Sequence, residues 1–124
     1  MPHTTPQILV IEDDSDIRED LAELLRDQGY RVATARNGAE ALEHLRSEAP
    51  CLILLDLMMP VMDGWEFRRR MLADDRVAHV PTVLLTGAAE PEDHAATLNV
   101  ADVMTKPIRL DRLYATVDRY CDPC

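Results

Sequence analysis

The chain alternates short apolar runs with amphipathic stretches, five times over. The runs are ILVI (8–11), YRVATA (30–35), CLILL (51–55), TVLLT (82–86) and ADVMT (101–105). A short, wholly apolar run reads as a strand buried on both faces, and the alternating YRVATA reads as a strand from its β-branched residues. Between them, IREDLAELLRDQG sets Ile17, Leu21, Leu24 and Leu25 at helical spacing and stops at Gly29. NGAEALEHLRSEAP begins at a capping Asn37 and carries Ala41, Leu42 and Leu45 as its apolar stripe. WEFRRRMLADD places Phe67 and Met71 one turn apart, and PEDHAATLN (91–99) is a short helix with a poor pattern. LDRLYATVDRY closes the series with Leu110, Leu113, Tyr114 and Val117 on one face. The Pro and Gly of MMPVMDG mark a loop. Strands that alternate with helices predict an α/β fold, a five-stranded parallel sheet covered on both faces and wound by right-handed crossovers.

The 124 residues fit one domain, and 47% hydrophobic content suffices for a packed core. The expected limits are a flexible lead-in over 1–7, the folded domain over 8–120 and a tail over 121–124. No apolar run approaches a membrane span of roughly 18 residues, and the start, MPHTTPQ, lacks the pattern of a signal peptide. A cytoplasmic protein is expected. With 13 Lys and Arg against 23 Asp and Glu, the net charge is -10. That argues against nucleic acid and against anionic membranes as partners.

Three cysteines are an odd number, and Cys51 sits in an apolar run, so a reduced compartment without a disulfide framework is expected. The terminal CDPC (Cys121, Cys124) ends the chain rather than opening a helix, and reads as a frayed tail. The histidines, His3, His44, His79 and His94, have no metal spacing. Arg68, Arg69 and Arg70 read as a solvated helix face, Asp63 as a turn residue, and Trp65 and Phe67 as helix packing.

Acids collect where the strands end. Glu12, Asp13 and Asp14 follow the first strand and Asp56 ends the third, while Thr86 and Lys106 stand at the ends of the fourth and fifth. Ligands of open parallel sheets bind outside these ends. Acids gathered there cannot all stay ionised without a counter-charge, which a hard cation such as Mg²⁺ supplies together with Lys106.

The segments ILVIEDD, LLDLMMPVMDGWEF, VLLTG and TKP, in that order, resemble the receiver domain of two-component response regulators from Ile8 to about Tyr120. The resemblance implies a flavodoxin-like sheet of order 2-1-3-4-5. It implies that Asp56 is the phosphoacceptor, taking phosphate from a sensor histidine kinase or histidine phosphotransfer protein. Glu12, Asp13, Asp56 and the Met58 backbone carbonyl would bind Mg²⁺, with Asp14 a bystander. Thr86 would meet the phosphoryl group and Lys106 balance its charge, ahead of a cis bond to Pro107. The side of the first helix near Arg18 and Leu21 would dock the kinase. The resemblance also implies Mg²⁺-dependent self-phosphorylation from a phosphodonor, and apolar Met58 and Ala88, at positions that tune dephosphorylation, imply slow loss of the phosphate.

The chain departs from the family's pattern at Val103, where receivers commonly carry Tyr or Phe, and in a short stretch between Thr86 and Lys106. A switch by aromatic rotamer and the common dimer face are therefore not expected. The main reading is a stand-alone regulator beginning at Met1. The alternatives are a pseudo-receiver that binds partners without phosphorylation, and a receiver module of a hybrid kinase. A hydrolase of the haloacid-dehalogenase type is disfavoured, because Met58 stands where its second aspartate is usual.

Overall fold

The structure is a computed structural model and describes residues 7–87 and 98–121. Its strands are β1 (Gln7–Ile11), β2 (Arg31–Ala35), β3 (Leu52–Asp56), β4 (Thr82–Thr86) and β5 (Asp102–Thr105). All pair in parallel, in the order β2-β1-β3-β4-β5. The described helices are α1 (Ser15–Asp27), α2 (Gly38–Leu45), α3 (Gly64–Leu72) and α4 (Leu110–Tyr120). The predicted doubly wound α/β fold is thus the observed one. The helix expected over 91–99 lies outside the described residues except for Leu98 and Asn99. Gln7, expected in the lead-in, is instead the buried first residue of β1.

Successive residues of the central strands point to opposite faces of the sheet. Leu9, Ile11, Ile53, Leu55 and Leu84 pack with Leu45 of α2 and with Phe67 and Met71 of α3. Ile8, Val10, Leu52, Leu54, Val83 and Leu85 pack with Leu21 and Leu25 of α1 and with Leu113 and Val117 of α4. Two covered faces explain why β1, β3 and β4 have no exposed position.

Local chemistry fixes the helix ends. Asp14 Oδ1 accepts from Asp16 N at 2.9 Å and from Ile17 N at 3.2 Å, capping α1. Asn37 Oδ1 accepts from Glu40 N at 2.9 Å, as its cap role predicts. Asp63, expected as a turn residue, caps α3 through Glu66 N at 2.9 Å. Gly29 ends α1 with a φ of 96°, a conformation that glycine adopts without penalty.

Two sequence expectations are overturned. The arginine run is not uniformly solvated. Arg69 and Arg70 are exposed and pair with Glu66, but Arg68 is 4% exposed. Its guanidinium donates to Leu98 O at 3.1 Å, Asn99 O at 2.7 Å and Thr82 Oγ1 at 2.8 Å. Position 68 shares its helix face with the buried Gly64, Phe67 and Met71, so the 3.6-residue period carries it inward. The cysteines also differ from the expected reduced, frayed state. Cys51 and Cys121 form a disulfide across 70 residues, with Cα atoms 5.7 Å apart. The covering helices run antiparallel to the strands, so the start of β3 and the end of α4 reach the same edge of the sheet. Cys124 lies outside the described residues.

Candidate functional site

The opposite edge of the sheet gathers the acids. Ile11 pairs with Leu55, Asp56 with Leu85 and Thr86 with Thr105. This register brings Glu12, Asp56, Thr86 and Lys106 to one carboxyl edge. β1 and β3 are neighbours while β2 lies on the far side of β1. The crevice therefore opens at the point where the strand order reverses, the usual ligand position of such sheets. Glu12, Asp13, Asp56, Met58, Thr86 and Lys106 all line it, and its volume is about 590 Å³.

Glu12, Asp13 and Asp56 each present a carboxylate oxygen within 4.8 Å of the others. Glu12 and Asp56 are buried, and Asp13 is exposed. Lys106 Nζ lies 2.8 Å from Glu12 Oε2 and 3.7 Å from Asp56 Oδ1. The Lys106 main-chain N–H donates to Thr86 O at 2.8 Å, which ties the β5 exit to the end of β4. The Lys106–Pro107 bond is cis, as expected. Met58 N lies 3.3 Å from Asp56 Oδ1 and donates to it weakly.

Burial raises the Asp56 carboxyl from its ordinary 3.8 to about 7. The negative charge of Glu12 adds to the rise, and Lys106 offsets only part of it. Burial pulls the Lys106 ammonium down, but contact with Glu12 and the charges of Asp56, Glu12 and Asp13 outweigh it and hold the pKa above its ordinary value. One ammonium faces three carboxyl groups, so the cluster lacks positive charge. Glu12 Oε2 has no aligned hydrogen bond and is met by Lys106 Nζ at 2.8 Å. An all-oxygen donor set with excess negative charge fits a hard cation of the Mg²⁺ kind.

The structure brings together Glu12, Asp13, Asp56, Met58, Thr86 and Lys106, the expected phosphoacceptor, metal and charge-balancing positions. Asp14 caps α1 and also lines the crevice. Trp65 does more than pack, since it also lines the crevice. Val103 is half-buried against the α2 and α3 side of the core. Met58 is 73% exposed, and Ala88 lies outside the described residues.

The side of α1 expected to dock a kinase lies beside its core residues. Leu21 is 4% exposed and belongs to the core. Arg18 Nη1 turns to the site loop, donating to Glu12 O at 2.9 Å and more distantly to Asp13 O at 3.4 Å. Sequence reasoning missed this support of the two acids. Its signal was the spacing, since a residue one turn into α1 can fold back over the loop that precedes it.

Residues 8–118 match the response regulator receiver domain. The chain is 39% identical over 116 residues to the transcriptional regulatory protein PrrA of Mycobacterium tuberculosis, covering 92% of this chain and 49% of that protein. It thus spans about half the length of that relative. Chemotaxis response regulator CheY4 of Vibrio cholerae superposes with a TM-score of 0.86 at 29% identity, covering 94% of this chain and 99% of that one. The receiver domain of a sensor histidine kinase from Pseudomonas aeruginosa, solved with a magnesium ion in its active-site cleft, superposes with a TM-score of 0.86 at 27% identity. That match covers 94% of this chain and 98% of the other.

Proposed function

The chain belongs to the response regulator receiver domain family of two-component signalling, and from that premise we propose that it accepts a phosphoryl group on Asp56 from the phosphohistidine of a sensor kinase or phosphotransfer protein. A carboxylate oxygen of Asp56 attacks phosphorus. The P–N bond breaks, and its electron pair returns to the imidazole. The observation that carries the reading is Asp56 itself, buried at a strand end beside Glu12 and Asp13, with Lys106 Nζ 3.7 Å away.

Phosphoryl transfer needs alignment and neutralisation of oxygen charge more than covalent help from the protein. Strand β3 aligns the nucleophile. Glu12, Asp13, Asp56 and the Met58 carbonyl would hold Mg²⁺, which would supply positive charge to the phosphoryl oxygens. Thr86 donates its hydroxyl to one of those oxygens, and Lys106 leaves Glu12 to balance another. Met58 offers no group that orients a water, which supports a long-lived phosphate. The receiver limits of 8–120, a cytoplasmic setting and acidic surfaces that avoid nucleic acid and anionic membranes belong to the same proposal.

The test is incubation with acetyl phosphate and Mg²⁺. The expected product is heavier by one phosphoryl group, and it is absent in Asp56→Asn or with EDTA. Labelling that persists in Asp56→Asn places the acceptor elsewhere. Wild-type protein that stays unlabelled favours a second reading, a partner-binding module without phosphorylation, to which Val103 at the usual aromatic position lends support.

A further inference from the structure

We propose that Cys51 and Cys121 are a thiol–disulfide site through which a dithiol reductant controls the hold on the C-terminal end of α4. The pair joins the residue before β3 to the residue after α4. Their Cα separation of 5.7 Å lies in the usual range for a bridge. Cys121 is buried and Cys51 is half-buried, so the Cys51 side is the one open to attack.

The released state is already provided for. Cys51 Sγ lies 3.2 Å from Gln7 O, so a free thiol there has an acceptor in place. The Cys51 main-chain N–H donates to the same carbonyl at 2.8 Å and holds the strand entry in either state. A reduced Cys121 behaves as a small buried hydrophobe. The end of α4 keeps a second hold, because the Tyr30 hydroxyl reaches Cys121 O at 2.7 Å and Asp118 Oδ1 at 2.9 Å. No buried polar group is abandoned by reduction. The chain can therefore exist with the helix end locked or with it held by non-covalent contacts, the Tyr30 hydroxyl among them.

The exchange balances as follows. One thiolate of the dithiol attacks Cys51 Sγ, the Sγ–Sγ bond breaks, and Cys121 leaves as a thiolate that takes a proton. The second thiol of the reductant attacks the mixed disulfide and frees Cys51. Two electrons pass to the protein, and the reductant leaves as its own disulfide. None of these groups belongs to the crevice, so the site stands or falls independently of the phosphoacceptor reading.

The experiment uses the full chain in a Cys124→Ser background, oxidised with glutathione disulfide or reduced with dithiothreitol. Alkylation of the oxidised protein should label no cysteine, and peptide mapping should recover Cys51 joined to Cys121. Reduction should free two thiols, both alkylatable after denaturation, and lower Tm by about 10 °C, given the long loop that the bridge closes. Hydrogen exchange at residues 117–121 should rise at least tenfold in the reduced form, well beyond any change in the interior of β3. Cys51→Ala should show the reduced Tm under both conditions. Labelling of Asp56 by acetyl phosphate should proceed in both forms. Two free thiols after oxidation, or equal Tm and equal exchange at residues 117–121 in the two forms, overturns the proposal.

Discussion

Asp56 carries opposing demands. As a nucleophile it must be ionised, yet burial and Glu12 hold its carboxyl at about 7 when no cation is present. The folded value lies above the ordinary 3.8, so the folded state binds the proton more tightly than the unfolded chain does. Stability from this group is therefore lost as pH rises from about 4 to about 7, and the loss is complete above that window. A tenfold difference in proton affinity is worth about 1.4 kcal/mol, which sets the penalty at a few kcal/mol in alkaline buffer. Asp56→Asn removes it. In EDTA the variant should melt several degrees above the wild type at pH 8, and the two should converge near pH 4. Thermal melts across that range check it, and a gap that is constant with pH contradicts the assignment. The acid itself was legible in the sequence, because an apolar run that ends in one carboxylate marks a strand end. Its electrostatic cost was not legible, since that depends on how far Glu12 and Lys106 reach into the same space.

At the scale of elements, α3 shows both what a pattern reveals and what it hides. Phe67 and Met71 announced the buried face, and extending the period by one step would have included Arg68. The composition of the run, three successive arginines, masked that position. Arg68 pins the backbone of Leu98 and Asn99 against β4 through Thr82. Burial pulls its pKa below the ordinary guanidinium value, and the three oxygens around it replace water as partners. Arg68→Met would keep the volume and strand all three acceptors, at a cost of about 2–4 kcal/mol. Arg69→Met touches an exposed pair with Glu66 and should cost less than about 1 kcal/mol. Urea unfolding of the two variants separates these cases. Equal midpoints would show that the Arg68 contacts contribute nothing. The disulfide was hidden for a different reason. No local pattern couples residues 51 and 121, and only the winding of the chain brings a strand entry and a helix exit together.

Across the whole molecule, the sheet order converts four distant segments into one site. The loop at 12–14, the end of β3, the end of β4 and Lys106 meet only because β1 and β3 are neighbours. A parallel sheet was legible from the five-fold alternation and its order from the family resemblance, whereas the 91–99 stretch had too weak a pattern to fix. A cation bound by Glu12, Asp13 and Asp56 would link β1 to β3 and should therefore stabilise the entire fold. Mass action gives about 2.7 kcal/mol when Mg²⁺ stands at a hundred times its dissociation constant. The chain also carries a net charge of -10, so any salt relieves some general repulsion. The two effects separate cleanly. At pH 8, saturating MgCl₂ should raise Tm by several degrees beyond NaCl of equal ionic strength. The excess should vanish in Glu12→Gln combined with Asp13→Asn, while the response to NaCl stays. Trp65 lines the crevice and should report the same binding as a change in fluorescence. Equal responses to the two salts in the wild type would mean that the carboxylates share no cation and that screening alone accounts for the gain.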